Sequence, residues 1–257
     1  MKRKEMLLKI LKNKFVGTLM GASILLLIWL ALTFVYPDYL VPPIQKPFEL
    51  ILAEHDKFMY HVGYTLYRVI IGFSLAFLVS LPVGIVAGLY RRANILIMST
   101  INILFSIPAI CWVLILMIIF GSTEFSRFLL QVIVLSPIMI FSVTEGIKSR
   151  DVRYDEMADV FRFSRWKKIR RVFLPYLFPY IIGSARSAFG VGVKLIIIAE
   201  LIGTTVGAGL QLLYYYGMGM FVYVYSYAIV LIAIYVVFDL IVFGAIERYA
   251  TRWKRQV

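Results

Sequence analysis

Four stretches of this chain, residues 15–36, 69–90, 93–123 and 128–144, contain no charged side chain. At about 1.5 Å of rise per residue each is long enough, the last only just, to cross a hydrocarbon layer about 30 Å thick as a helix. Backbone amides meet no water in that layer, so these runs are driven to the one local conformation that satisfies them internally. Residues 176–201 continue the pattern, interrupted by Arg186, Lys194 and Glu200. The uncharged run 201–238 is too long for one helix and is read as an outer glycine-rich turn at 203–209, an aromatic loop, and a last span from about Tyr223 to Phe243. With 61% hydrophobic and 16% charged residues in 257, the chain carries more apolar surface than a soluble core buries. The expectation is an all-α, polytopic membrane protein.

The charges between the runs fix its orientation. Twenty-one Lys and Arg fall at the N-terminus, at Arg91 and Arg92, in 148–171 and in 248–255, against Lys46, Lys57 and Arg127 on the opposite side. Positive charge gathers on the cytoplasmic face, so both termini are expected inside, and an even number of crossings follows. Six fits. The expected organisation is a basic N-terminal segment, 1–14, a six-helix domain, 15–250, and a basic tail, 251–257.

The formal net charge of +13 does not call for nucleic acid, because the basic residues flank apolar runs where anionic lipid accounts for them. Cys111 is the single cysteine, which rules out an internal disulfide and gives thiol chemistry no support; His55 and His61 read as surface or interface residues, and no metal site is expected. The run 15–36 is too long for a secretion signal and is read as a retained span. Pro82, Pro108 and Pro137 fall inside spans, where kinks are tolerated, and Gly17-xxx-Gly21 and Gly84-xxx-Gly88 permit close helix approach. No internal repeat marks two fused halves, so a pore between symmetric halves requires a second chain.

Between the fourth and fifth spans lies a charged island, about 148–175, with a helical pattern. Asp155, Glu156 and Asp159 open it, where carboxylates favour the positive end of a helix dipole. Met157, Val160 and Phe161 form a short apolar face. Ser164 is placed to cap a second helix, in which Trp166, Ile169 and Phe173 form one stripe among Arg165, Lys167, Lys168, Arg170 and Arg171. Two short helices with a bend make a knob for a groove on a cytoplasmic partner. A basic amphipathic helix lying on the inner leaflet fits the same residues equally well.

The island resembles the "EAA" loop of permease subunits of binding-protein-dependent ABC importers. The matching residues are Glu156, Ala158, Ser164, Arg165, Trp166, Arg170, Arg171, Leu174, Pro175 and Pro179. Other pieces resemble the branch serving nitrate, sulfonate and taurine: Val41-Pro-Pro-Ile-Gln-Lys-Pro47, the stretch His61 to Phe73, Leu81-Pro-Val-Gly-Ile-Val-Ala-Gly88, Ser106-Ile-Pro108, Ala199-Glu-Leu201 and Gly207-Ala-Gly-Leu210. The chain departs from the family at Arg162, where the bend usually has glycine, and at Phe163, where a small residue is usual. The geometry of the bend is therefore expected to differ.

The resemblance implies a type I ABC importer permease, not an enzyme, in a bacterial inner membrane. Its island would dock on cytoplasmic ABC ATPase subunits through Glu156, Ala158, Phe163, Ser164, Arg165, Trp166 and Arg170. It also implies an external solute-binding protein contacting 38–60 and 203–223, and a second permease copy, expected to be identical. The chain has no G-x-x-x-x-G-K-[ST] loop, so ATP and Mg²⁺ would be held by the ATPase. For the solute path the candidates are Lys194, Glu200, Arg186, Tyr214 and Tyr215, since a charge within a span faces protein or water. The competing classes are a six-span membrane-embedded enzyme, for which no catalytic cluster is present, and an ion-driven transporter, which requires intramembrane carboxylates such as Asp239 and Glu200.

Overall fold

A computed structural model describes residues 14–149, 153, 157 and 160–250, and every regular element among them is a helix. The elements are α1 (Lys14–Val35), α2 (Gln45–Ala53), α3 (His55–Leu89), α4 (Arg91–Ser106), α5 (Ala109–Phe120), α6 (Glu124–Lys148), α7 (Arg165–Lys168), α8 (Leu174–Ile202), α9 (Ala208–Gly217), α10 (Phe221–Val237) and α11 (Gly244–Ala250). A π turn, Ile169–Phe173, joins α7 to α8, and another, Phe238–Phe243, joins α10 to α11. Four runs are long and apolar enough to span a membrane: α3, α6, α8 and the continuous stretch Phe221–Glu247. Residues 20–35 of α1 form a shorter apolar helix among the described residues.

The run 93–123, expected as one span with Pro108 inside it, is broken into two helices. Helices α4 and α5 pass the same length and composition test only as a pair, and they bend by 91°. The cause is Pro108. It has no N–H to donate, and its ring forces the preceding residue out of helical geometry; Ile107 is extended, at φ −84° and ψ 124°. Pro82 and Pro137 remain inside unbroken helices, so proline alone does not decide the outcome. The aromatic loop is also corrected: Tyr214, Tyr215 and Tyr216 lie in α9, and the turn before α10 covers only residues 218–220.

The chain divides into two compact units, residues 1–60 with 211–233, and residues 61–210 with 234–257. In the second, α6 runs through the centre, with half of its most apolar window buried, against 28% for α3. Leu130 and Leu135 of α6 pack on Leu195 and Ala188 of α8 respectively, and Val143 and Ile147 pack on Leu177. Small residues set the α3–α6 approach. A Cβ on Gly84 would lie 2.9 Å from Val143 Cβ, and one on Gly88 would lie 2.6 Å from Ile147 Cβ. The outward side of α3 carries Ile70, Ile71, Leu75, Leu78 and Val79, an apolar face suited to lipid.

In the first unit, tyrosines and one lysine form a cluster. Tyr215 and Tyr223 stack nearly parallel at 4.0 Å, and Lys57 Nζ sits 5.3 and 5.4 Å from their ring centres. The Tyr223 hydroxyl donates to Glu54 at 2.6 Å, holding that carboxyl below the usual range. Trp29 Nε1 donates to the Pro42 carbonyl at 3.1 Å, and its ring stacks on Tyr225 at 5.2 Å.

Candidate functional site

Two features concentrate charge and exposed apolar surface. The first is the island. Glu156 and Ala158 lie outside the described residues, as does the side chain of Arg165. From Val160 onward the knob is visible. Phe161 N donates to Met157 O at 3.0 Å, and Arg162 follows with φ +50°. The arginine therefore adopts the left-handed conformation that glycine takes without strain, at a cost of about 1–2 kcal/mol. Ser164 caps α7 as expected, its hydroxyl accepting from Lys167 N at 3.4 Å. Of the expected stripe, Trp166 is 71% exposed and Phe173 packs against the cluster of Val143, Ile147 and Leu177, while the Ile169 side chain lies outside the described ones.

The knob stands on a fixed base. Tyr176 Oη donates to the Ser149 carbonyl at 2.6 Å, and the Tyr180 and Ser149 hydroxyls lie 3.0 Å apart, so the end of α6 is tied to the start of α8. Above that base Met157, Val160, Phe161 and Trp166 are exposed, beside exposed Arg170 and Arg171. Lys167 Nζ lies 4.4 Å over the Phe163 ring, which leaves Phe163 half-buried. Exposed apolar side chains among cations suit a protein interface and, equally, the surface of an anionic membrane leaflet.

The second feature is an ionic hub inside the second unit. Glu200 has no exposed surface. Its carboxylate accepts from Arg68 Nη1 at 2.7 Å, from the Thr65 hydroxyl at 2.8 Å and from Gly209 N at 2.9 Å. Arg68, 3% exposed, also binds Glu124 through Nε at 2.9 Å and Nη2 at 2.7 Å. Arg127 Nη1 reaches Glu124 at 3.2 Å, and its Nη2 donates to Ser122 Oγ at 2.9 Å and to the Gly203 carbonyl. Gln131 Nε2 donates to Arg68 O at 2.8 Å. Two guanidinium cations and two carboxylates thus neutralise each other among α3, α6, α8 and the turn after α8. Gly207, at φ +147°, belongs in this network because any Cβ there would run into the Glu200 carboxylate.

The path candidates separate accordingly. Glu200, named among the path candidates, is enclosed and held by three donors, with no surface open to a solute in this structure. Tyr215, 5% exposed, is likewise buried, whereas Tyr214 is 51% exposed. Arg186 grips both oxygens of Asp239 through Nε and Nη2, and its Nη1 is 3.4 Å from Glu247. Glu200 and Asp239, the carboxylates an ion-driven transporter would use, are therefore both occupied by arginine. Lys194 differs from all of these. It is exposed, has no ion-pair partner among the described residues, and shares one stripe of α8 with exposed Tyr180, Gly183, Ser187 and Val191.

Sequence reasoning missed Thr65, Arg68, Glu124, Arg127 and Gln131. Arg68 was placed just outside a span and Arg127 in an outer loop, whereas α3 begins at His55 and carries Arg68 well inside it. The available signal was charge balance: two arginines and two glutamates near span ends have to be matched if they are buried.

Comparison with known proteins gives a consistent picture. The family model described as "Binding-protein-dependent transport system inner membrane component" matches residues 80–255, more than half of the chain. The putative aliphatic sulfonates transport permease protein SsuC of Bacillus subtilis is 28% identical over 64% of this chain and 59% of its own length. The bicarbonate transport system permease protein CmpB of Synechococcus elongatus is 32% identical over 54% of this chain and 50% of its own length. The taurine transport system permease protein TauC of Escherichia coli is 29% identical over 76% and 74%. The chain thus matches only about half to three fifths of the first two relatives. A solved structure of the inward-facing MetNI methionine ABC transporter superposes with a TM-score of 0.64 at 18% identity, covering 75% of this chain and 95% of that one, which establishes likeness of fold.

Proposed function

Because the chain belongs to the family of binding-protein-dependent transport system inner membrane components, we propose that it is the membrane-spanning subunit of an ATP-driven importer. It is a multi-pass membrane protein. The crossings are α1, α3, the bent pair α4–α5, α6, α8 and Phe221–Glu247, six in all, with both termini in the cytoplasm of a bacterial cell as the loop charges require. The observation that carries the coupling role is the uncovered apolar and basic knob between α6 and α8, in which Trp166 is 71% exposed. This knob docks on a cytoplasmic ABC ATPase, which holds ATP and Mg²⁺. Glu156, Ala158, Phe163, Ser164, Arg165 and Arg170 complete the docking surface. An external solute-binding protein delivers the solute, and a second copy of the chain supplies the other half of the path. The test is purification of the tagged chain from its own cells: the ATPase accompanies it, and the reconstituted complex takes up solute only with ATP. A chain that transports without nucleotide, or never retains an ATPase, would overturn the assignment.

Lys194 is assigned to the path. An unpaired ammonium on a membrane-spanning helix has to face water or protein, because the lipid-facing alternative costs about 2.5–3.5 kcal/mol. Its stripe, with Gly183 and Ser187, is too polar for lipid. The relatives are named for sulfonates, bicarbonate and taurine, and a cation there attracts a small solute bearing an oxyanion. Lys194→Met is expected to lower uptake at least ten-fold while ATPase retention is unchanged. Equal uptake by the variant would remove Lys194 from the path.

A further inference from the structure

Beside the ionic hub lies an open cavity of about 430 Å³, lined by Arg68, Ser122, Glu124, Arg127, Gly203, Thr204 and Thr205. We propose that this cavity is a binding site for a small oxyanion, and that the Glu124 carboxylate occupies the oxyanion's place until the solute displaces it. The inference deepens the importer assignment and rests on it for the identity of the site as an outer station of the path.

Exposure separates the members of the hub. Arg68 and Arg127 are each 3% exposed, and Glu200 has no exposed surface, but the Glu124 side chain is 43% exposed. Glu124 is therefore the removable member, lying over two guanidinium groups that an entering anion would otherwise meet. It is the first residue of α6, so a side-chain rotation uncovers the arginines without moving the helix backbone. The remaining carboxylate stays behind, fixed by Arg68, Thr65 and Gly209.

Donor capacity points to the same ligand. Glu124 Oε1 already receives Arg68 Nη2 at 2.7 Å and Arg127 Nη1 at 3.2 Å, and Oε2 receives Arg68 Nε at 2.9 Å. An entering cation finds that carboxylate saturated and two positive charges beside it. An oxyanion finds those same donors once Glu124 turns away, and planar guanidinium forks match carboxylate and sulfonate oxygens. Arg127 presents Nη1 to Glu124 and Nη2 to Ser122 Oγ, so its terminal nitrogens are the donors beside the cavity residues. Ser122 and Thr205, both exposed, add hydroxyls to the rim. Exchange of one oxyanion for another keeps the hub neutral, whereas a cation or an uncharged ligand would not replace Glu124.

A tethered carboxylate competes at high effective concentration, so the native site binds a free anion weakly. Glu124→Gln removes the competing charge and leaves both arginines. Methanesulfonate is the probe, titrated by calorimetry into the full-length chain in detergent, alone and then with its ATPase, at constant ionic strength set with chloride. The expected result is at least ten-fold tighter binding by Glu124→Gln than by the native chain, lost again in Glu124→Gln/Arg127→Gln. Melting curves identify any variant that fails to fold, and the gain in the single variant does not depend on the double one. Unchanged methanesulfonate affinity in Glu124→Gln would overturn the proposal, as would preference for methylammonium. A gain seen only when the external binding protein is added would also overturn it, since the site would then take that protein's carboxylate. Failure to retain an ATPase bears on the importer assignment alone, because the titration of the isolated chain still decides the cavity.

Discussion

Arg68→Ala is expected to destabilise the fold by about 3–5 kcal/mol, the loss typical when one member of a buried ion pair is removed and its partner stays. The magnitude follows from what is left behind. Glu200 has no exposed surface and would lose its only guanidinium, keeping the Thr65 hydroxyl and Gly209 N as donors. Glu124, 43% exposed, can turn toward water, so the burden falls on Glu200. Glu200→Gln is expected to cost less than half as much: the amide oxygen still accepts from Thr65 and Gly209, and Arg68 keeps Glu124. Unfolding in detergent, followed by helical circular dichroism or by the loss of a monodisperse peak on heating, measures both. Added salt should leave the ranking intact, because buried pairs are screened far less than surface ones. A loss below about 1 kcal/mol for Arg68→Ala would place the hub among the weak surface pairs and remove it as the element that ties α3, α6 and α8 together.

The hub also explains how the turn after α8 holds its shape. The turn after α8 has no regular structure between Gly203 and Gly207, yet its backbone is fixed at several points. Val206 O and Gly203 O accept from Arg68 and Arg127, and Ala208 N donates to Thr65 at 2.8 Å. In a chain whose outward faces are apolar and whose solvent is lipid, burying side chains against one another gains little over burying them in lipid. Packing and paired polar groups set the helix arrangement there.

Most spans were legible in the sequence because four runs are uncharged over the length a helix needs to cross, and that signal needs no partner. The small-residue approach at Gly84 and Gly88 was legible for a similar local reason, and both glycines do meet α6. The break at Pro108 was not, since Pro82 and Pro137 carry the same chemical signal and stay within continuous helices. The hub was hidden by distance. Arg68 lies 56 residues from Glu124 and 132 from Glu200, so no spacing rule joins them. In the island the capping serine was legible, and Ser164 does cap α7, whereas the first helical stretch expected before it lies mostly outside the described residues.

Trp166→Ala is expected to leave the chain folded and inserted, and to weaken ATPase docking by at least about 30-fold. A central tryptophan in an interface commonly carries 2 kcal/mol or more, and each 1.4 kcal/mol is a factor of ten. The indole is 71% exposed in the isolated chain, so its removal takes little packing from the fold, and the melting temperature should hardly move. Val160 and Phe161, 79% and 67% exposed, remain to supply residual affinity. The base of the knob, where Tyr176 and Tyr180 meet Ser149, is untouched by the substitution. Two readouts then separate docking from folding: the fraction of ATPase retained on the purified chain, and ATP-dependent uptake by the reconstituted complex. Both should fall together while insertion and thermal stability hold. Uptake at the native rate with full ATPase retention would show that the exposed tryptophan anchors nothing, and would favour a knob that lies on the inner leaflet through its basic side chains.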